Sequence, residues 1–379
     1  MFDYEVLRLI WWVLIGVLLI GFAITDGFDM GVGMLIRIIG RNDTERRIMI
    51  NSFAPHWEGN QVWLITAGGA LFAAWPTVYA AAFSGFYIAM ILVLASLFFR
   101  PVGLEYRAKI DDNRWRNLWD WGIFAGSFIP PVVIGVAFGN LLQGVPFHLD
   151  EYLRVFYTGS FFQLLNPFGL LAGIVSLGMF LTVGATYLQM RTTGDLLVRA
   201  RGASQICALL TMVTFLLAGV WVVNGIDGFT ITSVIDPNGA SNPLHKEVAH
   251  QAGAWLANYH RYPLLWIVPA LGVLLPLVTV LCSRLRHGAW AFIFASLTIA
   301  CVILTAGITM FPFIMPSSTM PEASLTVWDA TSSLLTLRVM TLVAAIFVPI
   351  VLLYTTWCYY KMYGLITKEH IEQNTHSLY

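Results

Sequence analysis

Charge is the scarcest property of this chain: only 11% of its 379 residues are Asp, Glu, Lys or Arg, against about 25% in an ordinary soluble domain. With 58% hydrophobic residues, that shortage excludes a soluble globular protein and identifies an integral membrane protein. Neither sign of charge dominates. The 21 basic residues balance 21 acidic ones, so nothing points to a nucleic-acid partner. Cysteine is rare as well. Cys207, Cys282, Cys301 and Cys358 lie in or at the ends of apolar segments and form no CxxC pair, which argues against a disulfide framework or a zinc site. No Walker loop, dinucleotide fingerprint or catalytic triad is present, so no autonomous soluble-type catalytic site is expected. A cleavable leader is also missing: Leu9 to Ile24 follows Arg8 without a small-residue cleavage pattern, and the first span is expected to be retained.

Long apolar runs are what the chain has instead. A membrane helix needs about 20 such residues. Nine segments qualify, near 8–36, 51–75, 78–100, 117–144, 162–190, 203–224, 263–283, 288–313 and 336–360. The expected fold is an all-α membrane protein, a single polytopic domain over 1–379, built as two four-helix bundles plus one additional helix. The first segment is too long for a straight span and should tilt, break near Asp26-Gly27-Phe28-Asp29, or protrude.

Basic residues orient this bundle. Sixteen, Arg37 and Arg46 among them, fall in connections after spans 1, 3, 5 and 7 or in the C-terminal tail, against five on the other side. The bias puts the N-terminus in the periplasm and the C-terminus in the cytoplasm. The longest connection, 225–262, then faces outward; its stretch from Pro243 to Asn258 has the pattern of a short amphipathic helix with Trp255 on the apolar side. Trp11, Trp12, Trp75 and Trp357 suit interfacial belts. Small residues at Gly31-Val32-Gly33, Gly68-Gly69 and Gly135 to Gly139 suit close helix contacts.

Ionisable residues inside a span are costly and mark function by default. The stretch Pro55-His56-Trp57-Glu58-Gly59-Asn60-Gln61-Val62-Trp63 puts several polar groups there. Glu58 should lie about seven residues into span 2, roughly 10 Å of helix from the cytoplasmic end. Asp26 and Asp29, in the same half of span 1, share a helix face through their i, i+3 spacing. Asp120 opens span 4 from that side, near Arg114 and Arg116, which makes ion pairing its expected role. Glu105 and Lys109 occupy the preceding cytoplasmic connection. A one-sided distribution of this kind suits protons that enter from the cytoplasm and stop inside the protein. Histidine, by contrast, is nearly absent from the spans. Only His56 of the eight is embedded, so a bis-histidine haem cannot form, and no metal is expected here. On the residues alone, a proton-coupled secondary transporter and a structural scaffold remain alternatives.

Six motifs together carry a resemblance: Thr25 to Gly31, Pro55 to Trp63, Ala70 to Pro76, Phe99-Arg100-Pro101, Phe162 to Phe168 and Ser324 to Ser333. In order and along essentially the whole chain they are similar to subunit II of the cytochrome bd quinol oxidases, most of all the enterobacterial type. The resemblance implies a haem-free subunit of a terminal oxidase of the bacterial inner membrane, which oxidises quinol and reduces oxygen to water. It implies a partner, subunit I, bearing haems b558, b595 and d, small single-span accessory subunits, and in some members a structural quinone. It further implies a proton pathway through Glu105, Lys109, Tyr379 and Glu58, with Asp26, Asp29, His56, Asn60, Gln61 and Asp120 as supporting buried polar groups. Trp63 matches a position associated with oxygen access. Some relatives carry Asp where Glu58 or Glu105 stands.

Overall fold

The computed structural model describes residues 2–373; Tyr379 lies outside them. α1 (Tyr4–Ile39) is one unbroken helix. It is about 54 Å long at the usual rise and does not break: Asp26 to Asp29 lie within it. A shorter helix, α2 (Asp43–Phe53), capped by Asn42, ends just before Pro55. Proline removes a backbone donor and disfavours helix in the residue before it. The chain turns there and restarts as α3 (Trp57–Ala74). Glu58 therefore sits in the first turn of α3, not seven residues along a continuous span.

The remaining helices are α4 (Pro76–Gly85), α5 (Tyr87–Leu97), α6 (Phe99–Tyr106), α7 (Asn113–Gln143), α8 (Phe161–Leu164), α9 (Pro167–Arg191), α10 (Gly194–Gly225), α11 (Ala257–Arg261), α12 (Ile267–Arg284), α13 (Gly288–Met310), α14 (Leu334–Met362) and α15 (Lys368–Gln373). Among the described residues, eight helical stretches are long and apolar enough to cross a membrane: α1, Tyr87–Tyr106, α7, α9, α10, Pro263–Arg284, α13 and α14. α3 is not one of them, because Glu58, Asn60 and Gln61 load its first turns with polar groups.

α9 is the most enclosed span, packed against α1, α7, α10 and α13. Glycine makes this possible at two crossings. A Cβ on Gly31 would collide with the Phe180 carbonyl and Gly184, and one on Gly139 would stand 2.8 Å from the Gly169 Cα. Gly68 and Gly69 differ: a Cβ on either would meet none of the described residues within 4 Å outside its own helix. α14 is the least covered of the spans.

At the end of the bundle carrying Tyr4, three antiparallel ribbons form a cap: β1 (Phe147–Leu149) with β2 (Val155–Tyr157), β3 (Gly228–Ile231) with β4 (Val248–Gln251), and β5 (Phe313–Met315) with β6 (Leu325–Thr326). The stretch expected as a helix from Pro243 to Asn258 holds turns and β4 instead, and helix begins only near Ala254. Its Trp255 is buried and donates to the Leu142 carbonyl at 3.0 Å. Trp11 and Trp75 are also buried; Trp11 donates to Thr341 Oγ1 at 3.0 Å, so neither has the lipid-facing position of a belt residue. Trp357 is exposed.

The cap is fastened by Lys246 and Asp329, both buried, at 2.9 Å. Burial pushes the Lys246 ammonium below its usual value, and Asp329 opposes that shift. Removing one partner of such a pair strands a buried charge, at a cost of about 3 kcal/mol or more. Lys246→Met should therefore lower the thermal midpoint of the purified complex, whereas Lys246→Met with Asp329→Leu should recover part of the loss. Thermal denaturation of the two variants checks this.

Candidate functional site

At the end of the bundle opposite the cap, two carboxylates of α1 meet one guanidinium of α6. Asp26 and Asp29 are both fully buried. One turn apart, they point the same way, and Arg100 reaches Asp26 Oδ1 at 2.6 Å and Asp29 Oδ2 at 4.0 Å. The pairing is incomplete: Asp26 Oδ2, Asp29 Oδ1, Arg100 Nε and Arg100 Nη1 are buried without a partner among the described residues. Two acids facing one cation in apolar surroundings leave a net negative charge unless a proton is shared.

Asn60 extends this cluster toward α14. Its amide Nδ2 donates to Asp29 Oδ2 at 2.8 Å, and its Oδ1 accepts a short hydrogen bond from the Tyr359 hydroxyl. The Tyr359 ring stacks on His56 with centroids 4.4 Å apart. Asp29, Asn60 and Tyr359 thus form a continuous polar line from α1 through α3 to α14. His56, at the N-terminal end of α3, is buried against it.

Asp120 belongs to a second cluster, at the mouth of the bundle. Arg107 Nε reaches Asp120 Oδ1 at 2.6 Å and Arg46 Nη1 reaches its Oδ2 at 2.8 Å. Arg107 also pairs with Asp43 at 2.8 Å. The sequence pointed to Arg114 and Arg116 as partners. Those residues lie in the first turn of α7, and Arg116 pairs with Asp43 and Asp111 instead. The actual partners come from α2 and from the end of α6.

Glu45 of α2 joins this end to α10 through Arg199, at 2.5 Å. Burial opposes its charged form, but hydrogen bonds from Arg199 and from the Arg41 backbone N–H outweigh that and hold the carboxyl below its ordinary range. An acid lowered in the folded state contributes stability above its unfolded pKa, about 4.3, and loses it as pH falls through the folded value. Glu45→Gln should therefore flatten the acid side of a plot of thermal midpoint against pH. At neutral pH it should cost about 1 kcal/mol or less, since the pair is partly solvated.

Glu58, Glu105 and Lys109 are exposed on the chain's surface and not part of either buried cluster. Glu58 lies on a stripe of α3 that none of the described residues covers: Glu58, Gly59, Val62, Ile65, Thr66, Gly69 and Phe72. Their spacing is that of one helix face. The opposite face buries Asn60, Ala67 and Ala74. Gln61 and Trp63 are half-buried between the two, and the Trp63 ring fills the notch that Gly21 leaves on α1. Residues of α1, α7, α9, α10, α12 and α13 line a further feature, a half-open apolar cavity of about 620 Å³ that includes Phe22, Phe138, Phe168, Met179, Phe215 and Val302 in its walls.

Sequence reading missed two members of the buried site. Arg100 appeared in the motif Phe99-Arg100-Pro101 and as a charge at the end of the apolar run Leu97-Phe98-Phe99, a signal that could have found it. Tyr359 gave none, because an aromatic residue in a span usually means packing. Among the described residues, no group of three or more His, Cys, Asp or Glu is placed to hold a metal ion.

Residues 7–362 match the family described as cytochrome bd terminal oxidase subunit II. The chain is 74% identical over 379 residues to the cytochrome bd-I ubiquinol oxidase subunit 2 of Escherichia coli K12, with all of both chains covered. To the cytochrome bd ubiquinol oxidase subunit 2 of Bacillus subtilis it is 33% identical over 354 residues, 93% of this chain and 94% of the relative. A chain in the structure of bd oxidase from Geobacillus thermodenitrificans superposes with a TM-score of 0.62 over 95% of this chain and 98% of that one; at 12% identity the likeness concerns the fold. With a family match over nearly its whole length and a full-length relative at 74% identity, this chain belongs to the cytochrome bd terminal oxidase subunit II family.

Proposed function

We propose that this chain is the haem-free subunit of a quinol-oxidising, oxygen-reducing complex, and that it admits protons from the cytoplasm through Glu58 toward the haems of subunit I. In this reading α3 is a ninth span, the N-terminus is periplasmic and the C-terminus cytoplasmic, as the basic residues favour. Glu105 and Lys109 are the outer carriers, with Tyr379 between them and Glu58. Asp26, Asp29 and Asn60 form a polar backing behind α3, and His56 and Gln61 flank it.

The observation that carries the proposal is the open stripe of α3. A carboxylate facing hydrocarbon would cost several kcal/mol, so Glu58 needs a protein or water neighbour that the described residues do not supply. Gly59, Thr66 and Gly69 on the same stripe have the small side chains that let another helix approach closely, and Gly59 and Gly69 have open space beside them. Subunit I is the partner that fits, and Glu58 then lies at the subunit boundary. Trp63, half-buried at the edge of the stripe, is the candidate for guiding oxygen. A structural quinone would suit the apolar cavity of about 620 Å³, which lies in the usual size range for such molecules. Small single-span accessory subunits complete the assembly.

Purification from native membranes tests the assignment. The chain should bring with it a haem-bearing partner and the absorption of a d-type haem. Isolation of the intact chain without either would overturn the reading, and nothing observed favours the transporter alternative.

A further inference from the structure

Arg191, the last residue of α9, is buried, at 4% exposure. Among the described residues no carboxylate pairs with it, and its Nε has no partner. Its Nη1 donates to the carbonyl of Met362, the last residue of α14, at 3.0 Å. The rings of Tyr187 and Tyr363 flank the guanidinium, with centroids 5.9 and 6.0 Å away. A helix C-terminus leaves carbonyls unsatisfied and carries partial negative charge. The end of α14 meets this cation through the Met362 carbonyl, and the cation itself stands at the end of α9, which gives the buried guanidinium a partner where no carboxylate among the described residues does.

Arg191 also holds the chain beyond α14. Its own carbonyl accepts a hydrogen bond from the Ile366 N–H at 3.0 Å. The segment from Met362 to Ile366 is thus held at both ends by a single residue. Ile366 and Ile371 are buried beyond it, and α15 packs on α2. α2 leads directly, through Pro55 and His56, to Glu58. Tyr379 follows Gln373 by six positions, a reach of at most about 20 Å.

We infer that Arg191 is a positioning residue for proton uptake: it fixes where the C-terminal tail leaves α14, so that the tail runs along α2 beside the approach to Glu58. The inference rests on the proposed path through Tyr379 and Glu58. The titratable groups facing Arg191 are Tyr187 on its own helix, Tyr363 on the tail and His56 at the start of α3.

The test uses the whole complex in inside-out membranes, as Arg191→Met, Arg191→Lys, Tyr379→Phe and Arg191→Met with Tyr379→Phe. Two quantities are measured: trypsin cleavage after Lys368, and oxygen consumption per haem d as a function of pH. Loss of one charged hydrogen bond should make cleavage in Arg191→Met about tenfold faster. Turnover per haem should fall several-fold, most at alkaline pH where protons are scarce. Lysine should restore most of both, and in the Tyr379→Phe background Arg191→Met should slow turnover no further. Unchanged cleavage overturns the inference, as does faster cleavage with unaltered turnover at every pH. If Tyr379→Phe and Glu58→Gln both leave turnover unchanged, the path itself is lost, and the positioning role with it; the cleavage rate then reports the anchor separately.

Discussion

Arg100→Met is expected to cost about 3–5 kcal/mol, because it strands two buried carboxylates with no cation between them. Asp26 and Asp29 are both fully buried, and Arg100 itself is 1% exposed, so solvent offers little relief. The measurable consequence is a complex that assembles poorly: less haem d per milligram of membrane protein and a lower thermal midpoint. The sign of the effect separates charge from shape. Arg100→Met combined with Asp26→Asn and Asp29→Asn removes every formal charge from the cluster and should recover much of the stability, because a neutral site carries no stranded ion. Arg100→Lys should fall between, as the ammonium keeps the charge but lacks the Nη2 that faces both acids in the parent. If Arg100→Met assembles as well as the parent, the three groups do not form a mutually compensating cluster.

The second large effect concerns Glu58. Glu58→Gln keeps the shape of the side chain and removes its ability to release a proton. Steady-state oxygen consumption per haem should drop by about tenfold or more, below the usual contribution of a positioned acid or base because other groups can relay part of the flux. Haem content should be unchanged, since Glu58 makes no ion pair among the described residues and its removal strands none of them. Glu58→Asp keeps the charge but shortens the reach by one methylene, and it should retain most of the activity. Equal turnover in the parent and Glu58→Gln at neutral and alkaline pH would reduce Glu58 to a polar residue of the interface.

The helices were the most legible part of the molecule. Runs without a single charge, such as Phe168 to Leu188 in α9 and Ile206 to Val223 in α10, announce membrane helices by composition alone. Among the described residues, eight helical stretches are long and apolar enough to cross a membrane. Breaks were harder to see. Pro55 was in plain view, yet the apolar residues on both sides of it read as one span, whereas α2 and α3 are separate helices. Asp26 and Asp29 could be placed on one face from their spacing alone. Their cation could not, because Arg100 is 71 positions from Asp29 and only the packing of the fold brings them together. Asp120 shows the same limit: nearness in sequence favoured Arg114 and Arg116, and the fold supplies Arg46 and Arg107. The cap was least legible, since short ribbons depend on pairing between distant segments rather than on a periodic pattern.

The central claim is that protons for oxygen reduction pass through this chain from the cytoplasm by way of Glu58. It is tested most directly by following proton uptake during a single turnover of the intact complex. Reduced complex is mixed with oxygen in the presence of a pH-indicator dye, and proton uptake is timed against oxidation of the haems. The account predicts prompt uptake in the parent and uptake delayed about tenfold or more in Glu58→Gln, with oxygen binding unchanged. Uptake at the parental rate in Glu58→Gln would contradict it.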